Sequence, residues 1–183
     1  MKTVSIINEK GGTGKTFISN ELYYAFTKDG LATSLYSLDG QYEDRTVKVK
    51  NAKVSIVDTA GAITSDIEEV IKKSDCIVVP VIPSANNVEP FTRTMDIITK
   101  KTKVPVLVVV NMSNNYTSSK SFLNWLAKKN WVKDYISIPQ SEIVRQSEAK
   151  QCSVLKIDKR KVVTGAIKEL YEKVCKALKL VNN

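Results

Sequence analysis

Residues 10–16 read Lys10-Gly11-Gly12-Thr13-Gly14-Lys15-Thr16, and this stretch decides the fold that the sequence predicts. It follows a short β-branched stretch, residues 3–8, which is typical of a buried strand. It precedes apolar residues at helical spacing, which are Ile18, Leu22, Ala25 and Phe26. A glycine-rich loop between a strand and a helix is the context of a phosphate-binding loop, because glycines let successive backbone N–H groups turn toward an anion.

Lys15 and Thr16 stand where such a loop has its phosphate-binding lysine and its magnesium-binding hydroxyl. The helix that begins at these residues would add the positive end of its dipole. The ordinary pattern has glycine at position 9, where this sequence has Glu9, and here a second lysine, Lys10, begins the loop. The loop therefore predicts a site for nucleotide phosphates and Mg²⁺, in a form that departs from the common one.

The two-lysine loop resembles the deviant Walker A loop of the ParA/MinD ATPases. This resemblance implies ATP/ADP and Mg²⁺ as cofactors, a homodimer that forms on ATP binding, and slow hydrolysis of ATP to ADP and phosphate. It implies that Lys10 reaches across the dimer to the partner's nucleotide and acts in catalysis together with Lys15. The nucleotide-binding residues that it implies are Gly11, Gly12, Thr13, Gly14, Lys15, Thr16, Phe17, Asn111 and Pro139.

Two acidic residues end predicted strands, where ligands bind in a parallel sheet. Asp58 begins an Asp-Thr-Ala-Gly run and can hold Mg²⁺ through water, as a Walker B acid does. Asp39 ends the preceding strand, where a carboxylate can orient the attacking water. ParA-like proteins typically have Asp-x-Asp-Pro-Gln there; Asp39 matches the second acid, which is tied to hydrolysis, while Ser37 replaces the first acid and Gly40 the proline. The predicted magnesium-binding residues are Thr16, Asp39 and Asp58.

The resemblance extends over most of the chain. Residues 74–84, 108–111 and 138–140 are similar to family segments, and Asn111 matches the family asparagine that touches adenine. The chain resembles the small ParA type used in plasmid partition, because a loop that begins at residue 10 leaves no room for an N-terminal helix-turn-helix. The stretch between Asp39 and Asp58 is short even for that type, so a helix usually found there is expected to be missing.

Strand and helix patterns alternate along the chain. The predicted strands are residues 31–38, 53–58, 76–82, 104–110 and 135–138, in addition to the first. The predicted helices are about residues 64–73, 87–101, 118–129, 141–149 and 159–180, in addition to the one after the loop. Unbroken apolar strands between amphipathic helices indicate an α/β P-loop NTPase fold over a single domain, residues 1–183, with a twisted, mostly parallel sheet and helices on both faces. Residues 46–50 alternate and predict a short edge strand.

Composition excludes several classes of site. The sequence has no histidine, which rules out a Ser-His-Asp triad, a Cys-His pair and His-ligated zinc. Its three cysteines, Cys76, Cys152 and Cys175, are far apart and odd in number, which favours a reducing cytoplasm over a disulfide framework or a metal site. No apolar run reaches the roughly 18 residues of a membrane span, and no apolar signal region is found. We therefore expect a cytoplasmic protein without stable membrane insertion.

Charge is distributed unevenly. Residues 1–90 carry 10 Lys/Arg and 12 Asp/Glu, whereas residues 91–183 carry 18 and 7, so the two halves have net charges of −2 and +11. A basic half favours a polyanionic partner, most simply non-specific DNA, although a lysine-rich solvated surface would have the same composition. The predicted DNA-binding residues are Lys156, Lys159, Arg160 and Lys161, with a second cluster at Lys100, Lys101 and Lys103.

By resemblance, the predicted function is an ATP-dependent switch in plasmid or chromosome partition, nucleoid-associated in its ATP state and stimulated by a small centromere-binding protein of the ParB type. A conjugation accessory ATPase and a nucleotide-binding scaffold without turnover are alternatives. A MinD-like regulator that cycles on membranes is another, because basic amphipathic helices can lie on a membrane surface and the C-terminal helix has an apolar stripe. Core packing of this helix against the sheet is the favoured interpretation of that stripe, because a terminal helix on a sheet has the same pattern. The stripe comprises Val163, Ile167, Leu170, Val174, Leu178 and Val181.

Overall fold

The structure, a computed structural model, describes residues 1–38, 45–61, 67–132, 134–159 and 161–180. Six strands and seven helices lie within these residues. The strands are β1 (Lys2–Ile6), β2 (Thr33–Ser37), β3 (Val54–Asp58), β4 (Cys76–Val81), β5 (Val106–Ser113) and β6 (Tyr135–Pro139). The helices are α1 (Lys15–Lys28), α2 (Ile67–Lys73), α3 (Ala85–Lys101), α4 (Thr117–Leu126), α5 (Glu142–Ala149), α6 (Val154–Ile157) and α7 (Val162–Leu178).

The six strands form one sheet in the order β2-β3-β1-β4-β5-β6, and all neighbouring strands are parallel. The chain moves from β1 outward to β2, returns to β3, and then crosses to the other side of β1 to form β4. The order therefore reverses beside β1, and in open α/β sheets ligands bind at the carboxyl ends of the strands at such a point. The predicted parallel α/β fold is confirmed.

Each face of the sheet is covered by its own group of helices, as parallel strands require. Alternate residues of β4 show the division, because Val78 packs with α1 and α7 while Val79 packs with α2, α3 and α4. All six residues of β4 are buried, which explains why this strand has an unbroken apolar sequence. The two cores lie on opposite sides of β1, so the loop that follows β1 is held between two packed layers.

Helix α1 ends next to Gly30, a residue type that commonly stops helices. Gly30 has a φ of 76°, a left-handed conformation that glycine adopts without a Cβ clash. The Leu31 N–H donates to the Phe26 carbonyl at 3.0 Å and ends the helix in the manner of a glycine C-cap. The chain then turns directly into β2.

The predicted edge strand at residues 46–50 is wrong. The structure has an isolated antiparallel bridge between Leu35 and Val47 instead of a ladder. The reason is that Val49 donates its N–H to the Ser34 hydroxyl at 3.0 Å, so a side chain replaces the next strand-to-strand bond. No α-helix lies in residues 45–53, and residues 39–44 of the connection between β2 and β3 lie outside the described residues, so the missing helix stays a prediction.

The apolar stripe of the C-terminal helix is core. Val163, Ile167, Leu170 and Val174 are fully buried and Leu178 is 1% exposed, all in the same cluster as α1. Edge-to-face contact between the Phe26 and Tyr171 rings, with centroids 4.9 Å apart, joins the two helices. This face is therefore occupied by the sheet and is not open to a membrane surface, while Val181 lies outside the described residues.

Within the described residues, no helix has the length and apolar character needed to cross a membrane.

Candidate functional site

The loop between β1 and α1 is built on two glycines with positive φ. Gly12 has a φ of 74° and Gly14 a φ of 94°, values that residues with a Cβ rarely adopt. Gly14 also has a packing reason, because a Cβ there would lie 2.1 Å from Nδ2 of Asn111. Gly14 is the N-cap of α1, and no side chain of the described residues caps that end. The loop thus presents an uncapped helix N-terminus, which attracts anions.

Lys15 lies beneath the loop. Only 7% of it is exposed, and its Nζ donates to the Lys10 carbonyl at 3.1 Å. The Thr13 hydroxyl donates to the same carbonyl at 3.4 Å. An ammonium group has three donors, so the bond to the Lys10 carbonyl does not by itself exclude a bond to phosphate. Lys10 itself is exposed. The two lysines of the loop therefore occupy opposite environments.

The end of β3 lies against the same loop. Asp58 is 4% exposed and pairs in register with Ile6 of β1 and Ser37 of β2, so three strand ends form one row. A Cβ on Gly61 would lie 3.0 Å from Cα and 3.2 Å from N of Gly11, and 3.7 Å from Nζ of Lys15. The structure therefore brings the predicted Walker B region and the phosphate loop together.

Asn111 holds the loop in place. It is 3% exposed at the end of β5, and its Nδ2 donates to the Thr13 carbonyl at 3.0 Å while its Oδ1 accepts the Met112 N–H at 3.0 Å. This loop-bracing role was not foreseen from the sequence. Contact of Asn111 and of the half-buried Pro139 with adenine stays a prediction.

Four more of the predicted site residues fall into two groups. Thr16 is half-buried in the first turn of α1, and Phe17 is 8% exposed and belongs to the core. Asp39 and Arg160 lie outside the described residues. Ser37, which stands in place of the family's first acid, is buried, and its hydroxyl has no hydrogen-bond partner among the described residues.

The predicted basic surface surrounds the junction of α6 and α7. Lys156, Lys159 and Lys161 are all exposed, and Nζ of Lys156 lies 4.9 Å from the centroid of the Tyr24 ring. Lysines at a helix N-terminus oppose its dipole, and Asp158 resolves this because its carboxylate accepts the N–H groups of Val163 and Thr164, both at 2.9 Å. This cap was not predicted from the sequence, although an aspartate shortly before a helix is its usual signal.

A cleft of about 740 Å³ borders the N-terminal half of α1. Its lining includes Thr16, Phe17 and Tyr24 of α1, residues 151–153 and Arg45. Asn111 and Pro139 are not among the described residues that line it. The cleft therefore extends from the first turn of α1 along that helix.

Glu21 is a buried acid in this cleft. It is 2% exposed, and its carboxylate accepts the Ser153 hydroxyl at 2.6 Å and the Val154 N–H at 3.0 Å, which caps the unpredicted helix α6. Burial raises the pKa of Glu21, and these two hydrogen bonds lower it in part. Its only sequence signal is an acid between Ile18 and Leu22 on the apolar face of α1.

Most of the chain matches one known protein family. Residues 4–154 match the family described as the CobQ/CobB/MinD/ParA nucleotide binding domain. A comparison with curated protein sequences finds no match.

Solved structures share the fold over nearly the whole chain. The ATP complex of a McdA variant from Cyanothece has a TM-score of 0.82 and 15% identity, and the alignment covers 99% of this chain and 97% of that one. A Borrelia burgdorferi protein assigned to plasmid partition, bound to AMPPNP, has a TM-score of 0.75 and 14% identity, with 94% and 99% covered. The cell division protein MinD of Aquifex aeolicus has a TM-score of 0.73 and 15% identity, with 96% and 98% covered. At these identities the likeness concerns the fold alone.

Gly61→Ala is expected to weaken binding of a fluorescent ATP analogue by at least about fivefold, or about 1 kcal/mol, because the added methyl group forces the Gly11 backbone to shift. Gly165→Ala is the matched control. Nothing lies within 4 Å of a Cβ there, so it should stabilise α7 by roughly 0.5–1 kcal/mol and leave nucleotide affinity unchanged. Equal affinities for both variants would contradict the contact between Gly61 and the loop.

Glu21 is expected to make stability depend on pH. Its folded-state pKa is raised above the ordinary value of 4.5, so the native state binds more protons than the unfolded chain at intermediate pH. The free energy of unfolding should then fall as pH rises from about 4.5 through the raised pKa. Glu21→Gln should remove this component, because the amide oxygen still accepts a hydrogen bond and carries no charge.

Urea unfolding at a series of pH values measures this effect. Glu148→Gln, an exposed change at the same cleft, is the control and should leave the wild-type pH dependence in place. A wild-type profile in the Glu21→Gln variant would show that Glu21 titrates normally.

Proposed function

Because the chain belongs to the CobQ/CobB/MinD/ParA family of nucleotide-binding domains, we propose that it is a magnesium-dependent ATPase that switches between monomer and homodimer in DNA partition. The observation that carries this proposal is the arrangement of two lysines in one loop. The side chain of Lys15 is buried beneath the loop, whereas Lys10 is exposed to solvent. One lysine is thereby suited to the chain's own nucleotide and the other to the nucleotide of a second copy.

The loop fits the phosphates of a nucleotide. Nothing lies within 4 Å of a Cβ added at Gly11 or Gly12, so the backbone there is open to an approaching anion. The N-terminus of α1 has no side-chain cap among the described residues, which leaves its dipole to act on that anion. Lys15 supplies a positive charge at a site largely closed to water, where charge-assisted hydrogen bonds are strongest.

Magnesium would be held by oxygen donors of two elements. The Thr16 hydroxyl stands in the first turn of α1, and the Asp58 carboxylate ends β3 in register with the end of β1. Such oxygens are the donors that Mg²⁺ prefers. When bound, the ion neutralises charge on the β- and γ-phosphates. Asp39, outside the described residues, is proposed to orient the attacking water, which would make it a residue of turnover more than of affinity.

DNA is the proposed polyanion. Support comes from the net charge of +11 in residues 91–183 and from the exposure of Lys156, Lys159 and Lys161 around one helix junction. A protein assigned to plasmid partition shares the fold at a TM-score of 0.75. We propose that the ATP-bound dimer binds DNA without sequence preference, and that a ParB-type centromere-binding protein stimulates its release. ATP can drive this cycle only if the two nucleotide states differ in DNA affinity.

The two lysines are expected to separate binding from dimerisation. Lys15→Ala should weaken binding of a fluorescent ATP analogue at least about tenfold, because it removes a buried charge of the kind worth roughly 1.5–3 kcal/mol. Lys10→Ala should keep that affinity and lose the dimer that wild type forms with a non-hydrolysable analogue. Light scattering measures the dimer, and a Lys10→Ala variant that still dimerises would rule out the cross-dimer role.

DNA binding is expected to depend on the α6–α7 junction and on salt. Log affinity should fall by roughly 0.9 per phosphate contact for each decade of salt, because each contact releases counterions. The double variant Lys159→Ala/Lys161→Ala should reduce this slope and weaken binding several-fold, with ATP affinity intact. Lys72→Ala/Lys73→Ala is the matched control, since it removes two exposed charges from α2. If both double variants lose DNA affinity equally, the junction is not the binding surface.

A further inference from the structure

Glu9, the residue just before Lys10, is anchored to α3. Its carboxylate is 12% exposed, and one of its oxygens accepts Nε of Arg93 at 2.9 Å and also a terminal nitrogen of the same guanidinium. Its backbone N–H donates to the Thr94 hydroxyl at 3.3 Å. Both the side chain and the backbone of Glu9 are therefore fixed to one helix. The common loop pattern has glycine at this position, and glycine has no side chain that could form an ion pair with that helix.

The backbone of Lys10 is fixed from its other sides. Its N–H donates to Oδ1 of Asn8 at 2.9 Å, and Nδ2 of Asn8 donates to the Pro80 carbonyl of β4 at 2.6 Å. Its carbonyl accepts Nζ of Lys15 at 3.1 Å and the Thr13 hydroxyl at 3.4 Å. Lys10 is exposed while its backbone is held on both sides, so its neighbours set the direction in which its side chain leaves the backbone.

Glu9 forms its ion pair with Arg93, which leaves the neighbouring Lys10 ammonium without this carboxylate as a partner. Without the guanidinium, the Glu9 carboxylate would be an unpaired anion next to Lys10 in the chain and beside a phosphate-binding loop. Such a carboxylate would attract the Lys10 ammonium. The ion pair therefore keeps Lys10 available for another anion. Arginine suits this role because its planar fork presents several donors to one carboxylate and stays charged.

We propose that Arg93 is a positioning residue, which through Glu9 aims Lys10 at the nucleotide of a second copy of this chain. The inference rests on the dimerisation in the proposed function. Fixing the loop before association lowers the entropy that the dimer must lose on forming, and this is the effect that preorganisation has on affinity. Arg93 is expected to act on the dimer more than on nucleotide affinity, because Asn111 holds the Thr13 carbonyl and Asn8 holds the Lys10 N–H independently of Arg93.

The test compares Arg93→Gln with Glu89→Gln. The Glu89 change removes the second ion-pair partner of Arg93, an exposed carboxylate on α3, and leaves the contact with Glu9 in place. Sedimentation with a non-hydrolysable ATP analogue measures the dimer, and fluorescence titration measures nucleotide affinity. Arg93→Gln should raise the dimer dissociation constant at least about fivefold and change nucleotide affinity less than about twofold. Glu89→Gln should match wild type in both.

Hydrogen exchange of the nucleotide-free chain supplies a readout that does not need a dimer. The amides of residues 8–10 should exchange faster in Arg93→Gln than in wild type or Glu89→Gln, because the anchor to α3 is lost. Unchanged exchange, or a dimer of wild-type strength in Arg93→Gln, overturns the positioning role. If wild type stays monomeric with the analogue, or Lys10→Ala dimerises normally, the proposed function fails, and the exchange result still decides whether Arg93 fixes the loop.

Discussion

The parallel register between β1 and β3 is the constraint on which the rest of the structure depends. It sets Asp58 beside Ile6, so the phosphate loop and the residues after β3 must emerge at the same edge of the sheet. The nearly touching backbones of Gly11 and Gly61 follow from that register, and so does the position of Lys15 beneath them. A shift of one residue would turn Asp58 to the opposite face of the sheet and separate the acid from the loop.

The parts of this structure that the sequence predicted are those encoded by neighbouring residues. The loop, the start of α1 and its end at Gly30 all depend on glycine positions and apolar spacing within a few residues. The parallel sheet follows from unbroken apolar strands such as β4. Exposure of Lys10 and burial of Lys15 were not needed for that prediction, yet they distinguish the environments of the two lysines.

The parts that could not be predicted depend on side chains that meet across long stretches of chain. Glu21 contacts Ser153 across 132 residues, Asn111 contacts Thr13 across 98, and Arg93 contacts Glu9 across 84. None of these pairs has a local pattern, because each polar group only acquires its partner once the sheet order is set. The prediction of an edge strand at residues 46–50 was wrong for a similar reason. The Ser34 hydroxyl accepts the Val49 N–H, which would otherwise bond to a neighbouring strand.

The division of helices between the two faces bears on the order in which the chain can fold during synthesis. The buried residues of the core beneath α2, α3 and α4 have all been made once Leu126 is synthesised, and Trp131, Val132 and Tyr135 then pack against them. The core beneath α1 also needs Val163 to Leu178 of α7, so the first helix stays half-covered until nearly the whole described chain has been translated. Since domains are made from the N-terminus onward, the phosphate loop is synthesised first and stabilised last. The helix that follows the phosphate loop therefore gains its complete packing only after α7 has been synthesised.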